Sequence, residues 1–484
     1  MTGAGINWGL LVPEIGVLAL AVIVLGIDLF TRGRGRNALP FVVAAGALSI
    51  IGFLAGLATT QPPSMLWNGI FRFDGVSIIF KIIFVASLLL VSLASTGAGT
   101  PTWRGEYFSL LCFATLGLML MASGGDWILI YLAIELATLS LVALAALRKS
   151  DQRSAEAGLK MLVVGAVSSA TLLFGVSFLY GLTGTTRLAP TPEGLTSNPF
   201  FFLALIMVVA GLGFKVAAAP FHMWAPDVYE GAHTPVAAFL SVASKAAGIA
   251  VVFRVLVEPF YGLGAPALAS VYTGPMNLVA IVLAVLSMVT GNLIALMQTN
   301  IKRLLAYSGI AQIGYIFVAL STGTPDGFTA ALFYLVLYMF TNMCAWFVVV
   351  AVNETEITAY GALYKRAPLL ALAMAIALFS LGGIPPLAGF VGKLYLFLPA
   401  VGRGLWWLAL LGALLSVVSL YYYLMVVRQL YLVEDAPPGA KKITVATPLS
   451  VAIALCAIGI VAFGIYPGPL LQVAKWATST FVGQ

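Results

Sequence analysis

Long apolar runs, separated by short clusters of Gly, Pro, Arg, Lys and Asp, make up most of the chain. A helix crossing a bilayer needs about 20 consecutive apolar residues. Runs of that length centre near residues 19, 48, 85, 115, 137, 170, 209, 246, 284, 312, 340, 384, 418 and 456, which predicts fourteen helices. Between them stand helix-ending and turn-forming stretches such as Thr-Arg-Gly-Arg-Gly at 31–35 and Ala-Pro-Pro-Gly at 436–439. The first run, from about Trp8 to Phe30, has no cleavage-site pattern beside it and is expected to be retained as a helix. Two runs are interrupted. "GFKVAAAPFHMWAPDVYEGAHTP" (213–235) contains Lys215, three prolines and both histidines of the chain, His222 and His233; "SLGGIPPLAGFVGKLYLF" (380–397) contains Pro385, Pro386 and Lys393.

Composition agrees with this pattern. The chain of 484 residues is 61% hydrophobic and 8% charged, against about 25% charged residues in a soluble domain. The expected fold class is therefore an all-α polytopic membrane protein lying in the lipid bilayer. Its net charge of +7 does not point to nucleic acid, because Lys and Arg are scattered among loops and form no single stripe. Cys112, Cys344 and Cys456 all fall inside apolar runs, with neither metal spacing nor a disulfide framework, and read as small buried side chains.

The basic residues also orient the chain. The loops that follow odd-numbered spans hold Arg32, Arg34, Arg36, Arg104, Arg148, Lys149, Arg153, Lys302, Arg303, Lys365, Arg366, Arg428, Lys441 and Lys442, whereas the opposite side holds only Arg72, Arg187, Arg403 and Lys475. The positive-inside rule then puts the richer side in the cytoplasm and both termini outside.

Six basic residues remain within spans: Lys81, Lys160, Lys215, Lys245, Arg254 and Lys393; Glu14, Asp28 and Glu135 join them there. An ionisable group at mid-membrane costs about 2.5–3.5 kcal/mol on insertion scales, so several in one bundle call for a function. Glu135 lies nine residues from Asp126, about 13 Å deep at 1.5 Å per residue. Lys245 lies ten residues beyond Pro235, about 15 Å deep, among Ser241, Ala243, Ser244, Ala246, Ala247 and Gly248, which leave room for close packing or water. Proline removes a backbone donor and breaks a helix, and broken backbone at membrane depth is tolerated only within protein or along a wet cavity. Lys215, five residues before Pro220, is therefore expected to face a protein interior. Desolvation disfavours a lysine's charge and a nearby carboxylate favours it, so a Lys–Glu pair can switch protonation as its separation changes. His222 and His233 flank the cytoplasmic end of the seventh span and could pass protons between Lys215 and Lys245, or simply cap a helix end. Glu14, Asp28, Lys81 and Arg254 lie nearer span ends, where snorkelling or interfacial pairing is expected.

Interrupted spans in corresponding positions of two halves point to a transport site in an inverted-repeat protein. The seventh and twelfth spans correspond if spans 4–8 and 9–13 are inverted five-helix repeats. The implied organisation is residues 1–105 for three N-terminal helices, 106–258 and 259–432 for the repeats, and 433–484 for the last helix. With no glycine-rich dinucleotide fingerprint, no phosphate-binding loop and no CxxC pair, the chain shows no means of moving electrons by itself.

"LLVPEIGVLALAVIVLGIDLF", "YLAIELATLSLVAL", "GFKVAAAPFHMWAPDVYEGAHTPVAAFLSVASKAAG", "NIKRLLAYSGIAQIGY" and "LGGIPPLAGFVGKLYLF" together resemble, over nearly the full length, the antiporter-like proton-pumping membrane subunits of respiratory complex I. Within that family the N type is the most similar, whose chloroplast and cyanobacterial counterpart is subunit 2. The resemblance implies a bacterial inner (cytoplasmic) membrane, other complex I membrane subunits as partners, and a parent complex using NADH, FMN, iron–sulfur clusters and quinone, with no cofactor in this chain. By position it implies that Glu135 pairs with Lys215, that Lys245 bridges, and that Lys393 leads to the outward exit. A lysine at 393 favours the N type over the M type, which usually carries glutamate there. His233 departs from the family, whose members usually have proline in "EGAHTPV", and a shared role for it is in doubt. Two rival readings are a D-type subunit of a multisubunit sodium/proton antiporter, and a scaffold in which the charges only hold helices together.

Overall fold

The computed structural model describes residues 7–31, 37–96, 104–188, 198–261, 275–435 and 443–482, with backbone only at 256–261, 275–276 and 482. Arg32, Arg34, Arg36, Lys441 and Lys442 lie outside the described residues. In chain order the main helices are α1 (Val12–Phe30), α2 (Leu39–Thr60), α3 (Gly75–Ala94), α4 (Arg104–Ser123), α5 (Trp127–Ala145), α6 (Gln152–Thr183), α7 (Pro199–Val216), α8 (Trp224–Gly231), α9 (Thr234–Phe239), α10 (Lys245–Tyr261), α11 (Pro275–Ala295), α12 (Ile301–Leu320), α13 (Pro325–Val352), α14 (Pro368–Gly382), α15 (Ala388–Gly402), α16 (Trp406–Tyr431), α17 (Thr447–Ile465) and α18 (Gly468–Val482).

Thirteen helical segments among the described residues are long and apolar enough to cross a membrane. α14 and α15 are each too short, and together they occupy the interrupted twelfth position. The segment Thr234–Val255 is buried throughout and α12 and α13 nearly so, which makes these three the centre of the bundle. Helices at the rim expose apolar side chains, such as Leu159, Val163 and Val167 on α6 and Leu410, Leu414 and Val417 on α16, as lipid contact requires.

The connections fall into two groups. At one end Arg303 meets Asp227 at 2.6 Å and Glu230 at 3.0 Å, Arg153 approaches Glu230, and Asn300 bridges Glu356. At the other, Arg72 donates to the Leu188 carbonyl, Phe71 bridges Gly124 and Asp126 bridges Arg187. These are the two sets of loops that the charge count separates. Lys160 belongs to the first set, paired with Asp227 and Glu156 at 2.6 Å each.

Three features do not show in the apolar pattern. A hairpin, β1 (Ser64–Leu66) with β2 (Phe71–Phe73), turns through Trp67, Asn68 and Gly69, all at positive φ; asparagine and glycine favour such a turn. α18 follows Pro467 and packs on α3 and α13. Between α9 and α10, Leu240–Ser244 forms one π-helical turn.

Of the charges near span ends, Glu14, Lys81 and Arg254 are paired inside the protein and do not snorkel. Lys81 on α3 meets Glu14 on α1 at 2.7 Å, both buried. Arg254 on α10 binds both carboxylate oxygens of Asp74 at 2.6 and 3.0 Å and the Ala122 carbonyl. Asp74 also caps α3 by accepting from the Ser77 N–H. A buried ion is stable only when paired and hydrogen-bonded, and these pairs tie the N-terminal helices to α10. Cys112, Cys344 and Cys456 are buried free thiols.

Candidate functional site

Both expected interruptions exist, and both end a helix in the same way. α7 stops where Ala217 takes a left-handed conformation (φ 56°) and the Ala218 N–H reaches back to the Gly213 carbonyl. α14 stops where Gly383 does so (φ 86°) and the Ile384 N–H reaches back to the Phe379 carbonyl. Proline follows each stop, at Pro220 and at Pro385–Pro386, so neither helix resumes at once. The freed backbone finds partners: Ala219 N–H donates to Ser287 Oγ at 2.9 Å, and the Phe214 carbonyl accepts from the Trp224 indole at 3.1 Å. The two lysines are not placed alike, however. Lys215 lies before its break, in the last turn of α7, and Lys393 lies after its break, in α15.

All three expected mid-membrane lysines are buried, with Lys215, Lys245 and Lys393 exposed by 3%, 1% and 4%. The Lys215 ammonium donates to Thr138 Oγ1 at 3.1 Å. Thr138 lies one helical turn beyond Glu135 on α5, and Glu135 is half-buried and accepts a hydrogen bond from Ser169 on α6. Glu135 and Lys215 therefore flank a small hydroxyl cluster and do not close into a direct ion pair. α10 touches the end of α7 because Gly248 lacks a side chain: a β-carbon there would lie 2.4 Å from Val216 and 3.4 Å from the Lys215 carbonyl carbon. This close approach brings the Lys245 helix to the Lys215 helix.

Lys245 follows the π-helical turn directly, and its ammonium has no hydrogen-bond partner; it stands 5.8 Å from the centre of the Tyr229 ring. Ser241, within the turn, accepts from Asn342 at 2.7 Å, and its carbonyl accepts from the Tyr338 hydroxyl. Lys393 is fully served. It donates to the Leu381 and Gly382 carbonyls at 2.8 and 3.4 Å, at the negative end of the α14 dipole, and to Ser416 at 2.7 Å. The Tyr315 ring lies 4.7 Å from it.

A polar cluster extends from the Lys393 region toward the π-helical turn. Gln312 on α12 donates to the same Leu381 carbonyl at 3.2 Å, accepts from the Tyr334 hydroxyl at 2.5 Å and donates to Tyr423 at 3.4 Å. Tyr423 shares a hydrogen bond with Ser308 at 2.5 Å, and the Tyr334 ring stacks with Tyr338. Gln312, Tyr334, Tyr338, Ser169 and Thr138 escape a sequence reading because uncharged polar residues in a span are common and carry no signal of their own. Among them only Gln312, an amide in an apolar run, stands out.

The histidines separate. His222 lies within the break after α7, 6.4 Å from the Tyr307 ring and within electrostatic reach of Lys245. His233 stands at the N-cap of α9 and packs edge-on against Tyr107 of α4 at 6.0 Å. Among the described residues no group of three or more His, Cys, Asp and Glu side chains converges.

The family described as NADH:quinone oxidoreductase/Mrp antiporter, TM, matches residues 124–419, which span Glu135, both breaks and all three lysines. The chain is 43% identical to NADH-quinone oxidoreductase subunit N of Heliobacterium modesticaldum, covering 98% of this chain and 99% of that one. It is similar to a chain of respiratory complex I from Thermus thermophilus with bound aureothin, at TM-score 0.80 and 33% identity over 95% of this chain and 98% of that one. A chain of the Mrp complex from Dietzia has the same fold, at TM-score 0.83 and 20% identity over 99% of each. With its interrupted helices and buried lysines inside the matched region, the chain belongs to the antiporter-like proton-pumping membrane subunits of NADH-quinone oxidoreductase, as subunit N of complex I.

Proposed function

We propose that protons cross this subunit by way of Glu135, Lys215, Lys245 and Lys393, with His222 loading protons at the break after α7. The observation that carries the reading is the set of three buried ammonium groups on interrupted or distorted helices, with hydroxyl and amide side chains beside Lys215 and Lys393. Uncompensated charge at this depth is costly, so a change in one group's charge is felt by the next. Glu135 governs the charge on Lys215 through the Thr138–Ser169 cluster. Lys215 acts on Lys245 where α10 crosses the end of α7. Lys393, held by the Leu381 and Gly382 carbonyls, gates the outward exit.

Electron transfer from NADH to quinone, through the FMN and iron–sulfur clusters of other subunits, shifts this chain of charges; the subunit itself carries no redox centre. It sits in the bacterial cytoplasmic membrane with both termini outside, and residues 106–258 and 259–432 act as the two repeats. The test uses membrane vesicles carrying Glu135→Gln, with assembly checked on a native gel and quinone reduction and ΔpH recorded together. Loss of both activities from an assembled complex is expected. Wild-type values of both would falsify the relay. The fold likeness to the Mrp complex supports one alternative, a sodium/proton antiporter subunit, which predicts a sodium-dependent ΔpH without any electron donor.

A further inference from the structure

The surroundings of the Lys245 ammonium lead further, given the relay reading above. Lys245 is borne by α10, in the first group of helices. Gly309 on α12 and Tyr338 on α13, which stand beside its Nζ, belong to the second. A β-carbon added to Gly309 would lie 2.5 Å from Lys245 Nζ and 3.0 Å from the Tyr338 hydroxyl. Both are the far ends of flexible side chains. The glycines at the α11–α12 contact differ. A β-carbon at Gly314 would meet the Met288 N at 2.7 Å and the Ala284 carbonyl at 3.0 Å, and one at Gly291 would meet the Ala311 N at 2.5 Å. Those two let backbones approach each other; Gly309 leaves room for a charged group. On the ammonium's other side is the Tyr229 ring, and neither Lys245 Nζ nor the Tyr229 hydroxyl has a hydrogen-bond partner.

We propose that Gly309 is a positioning residue for Lys245: the space of its absent side chain is where the ammonium of the first helix group sits against the second. The π-helical turn Leu240–Ser244 aims the lysine, and Gly309 receives it. Carbon and nitrogen in ordinary contact stand about 3.5–4.0 Å apart, so a methyl at 309 drives Nζ back by about 1 Å. A displacement of ~1 Å in a reacting group costs up to ~100-fold in rate. A serine displaces the ammonium as well, yet offers it the acceptor it lacks. A positioning role therefore orders turnover as glycine, then serine, then alanine. A pure packing role makes serine, the larger side chain, no better than alanine.

The experiment compares Gly309→Ala, Gly309→Ser, Gly314→Ala and Lys245→Met in vesicles with the whole complex, each scored for assembly, quinone-reductase kcat and KM, ΔpH, and the pH profile of turnover. The expected result is assembled complex for both Gly309 variants. Gly309→Ala lowers kcat about tenfold at unchanged quinone KM, with a displaced pH optimum, and Gly309→Ser recovers at least half of that loss on a logarithmic scale. Gly314→Ala lowers the amount of complex and leaves the pH profile of what assembles unchanged. An unaltered Gly309→Ala, serine no better than alanine, or failure of both Gly309 variants to assemble overturns the positioning role while leaving the relay standing. Full pumping by Lys245→Met overturns the relay itself, and the role of Gly309 with it.

Discussion

At the scale of single residues, the lysines differ in what surrounds them. Lys393 is bound by two carbonyls and a serine, Lys215 by one threonine, and Lys245 by no hydrogen bond. In the proposed relay the middle lysine is therefore the one whose ammonium no hydrogen bond holds in place. Glu135 depends on Ser169 for the hydrogen bond that orients it. A hydrogen bond to a charged group contributes about 1.5–3 kcal/mol. Ser169→Ala is therefore expected to lower coupled turnover roughly tenfold with normal assembly, and Ser169→Thr to keep most of it, read as NADH-driven ΔpH in vesicles. Equal losses in both would point to packing at α6 and not to the hydroxyl. The charged residues of the site are legible from the sequence because charge in an apolar run is rare; their hydroxyl and amide partners are not, because nothing in a single chain says which serine faces inward.

At the scale of elements, the interruptions matter more than the helices. Proline announced both breaks, since it can neither donate the missing hydrogen bond nor fit against the preceding turn. What each break exposes is decided by the chain conformation just before it. Gly383 sits at φ 86°, and a β-carbon there would be strained and would also crowd Lys393 Cδ at 3.3 Å. Left-handed backbone costs a residue other than glycine about 1–2 kcal/mol. Gly383→Ala is expected to lower the thermal stability of the assembled complex by a few degrees and to reduce pumping more than Gly323→Ala, a loop glycine also at positive φ but far in sequence from any lysine. Differential scanning of purified complex, with ΔpH in parallel, checks both. The π-helical turn before Lys245 and the α18 helix lie beyond a sequence reading: one extra residue in a turn leaves no compositional mark, and α18 is a 15-residue helix, too short to register as a span.

At the scale of the molecule, two kinds of charge contact hold the bundle. The Asp74–Arg254 pair is buried on both sides, with side-chain exposures of 0% and 1%, and ties α3 to α10. Removing one partner of a buried pair costs about 3–5 kcal/mol, because the other charge stays behind. Asp74→Ala is expected to leave little assembled complex on a native gel. Arg303, at 28% exposure, joins Asp227 and Glu230 across the two helix groups in contact with solvent. Such pairs contribute about 1 kcal/mol or less, so Arg303→Ala is expected to assemble at near wild-type levels. An assembly defect as severe as that of Asp74→Ala would mean that the join Arg303 makes with Asp227 and Glu230 matters to the bundle as much as the buried pair does.

Sequence alone determined the class of the protein, the order of the apolar segments, the two interruptions and the charged residues that fall within apolar runs. Those follow from local physics: a bilayer demands long apolar helices, proline breaks them, and charge at depth is expensive wherever it occurs. The tertiary structure decided the rest. It set Lys245 against Gly309 and Tyr338, 64 and 93 residues away in the chain, and it placed His233 beside Tyr107. It also decided between snorkelling and pairing for Lys81, Glu14 and Arg254, all of which are in buried pairs. These depend on which helix faces meet, and a helix that is apolar nearly all round does not reveal its inner face by pattern.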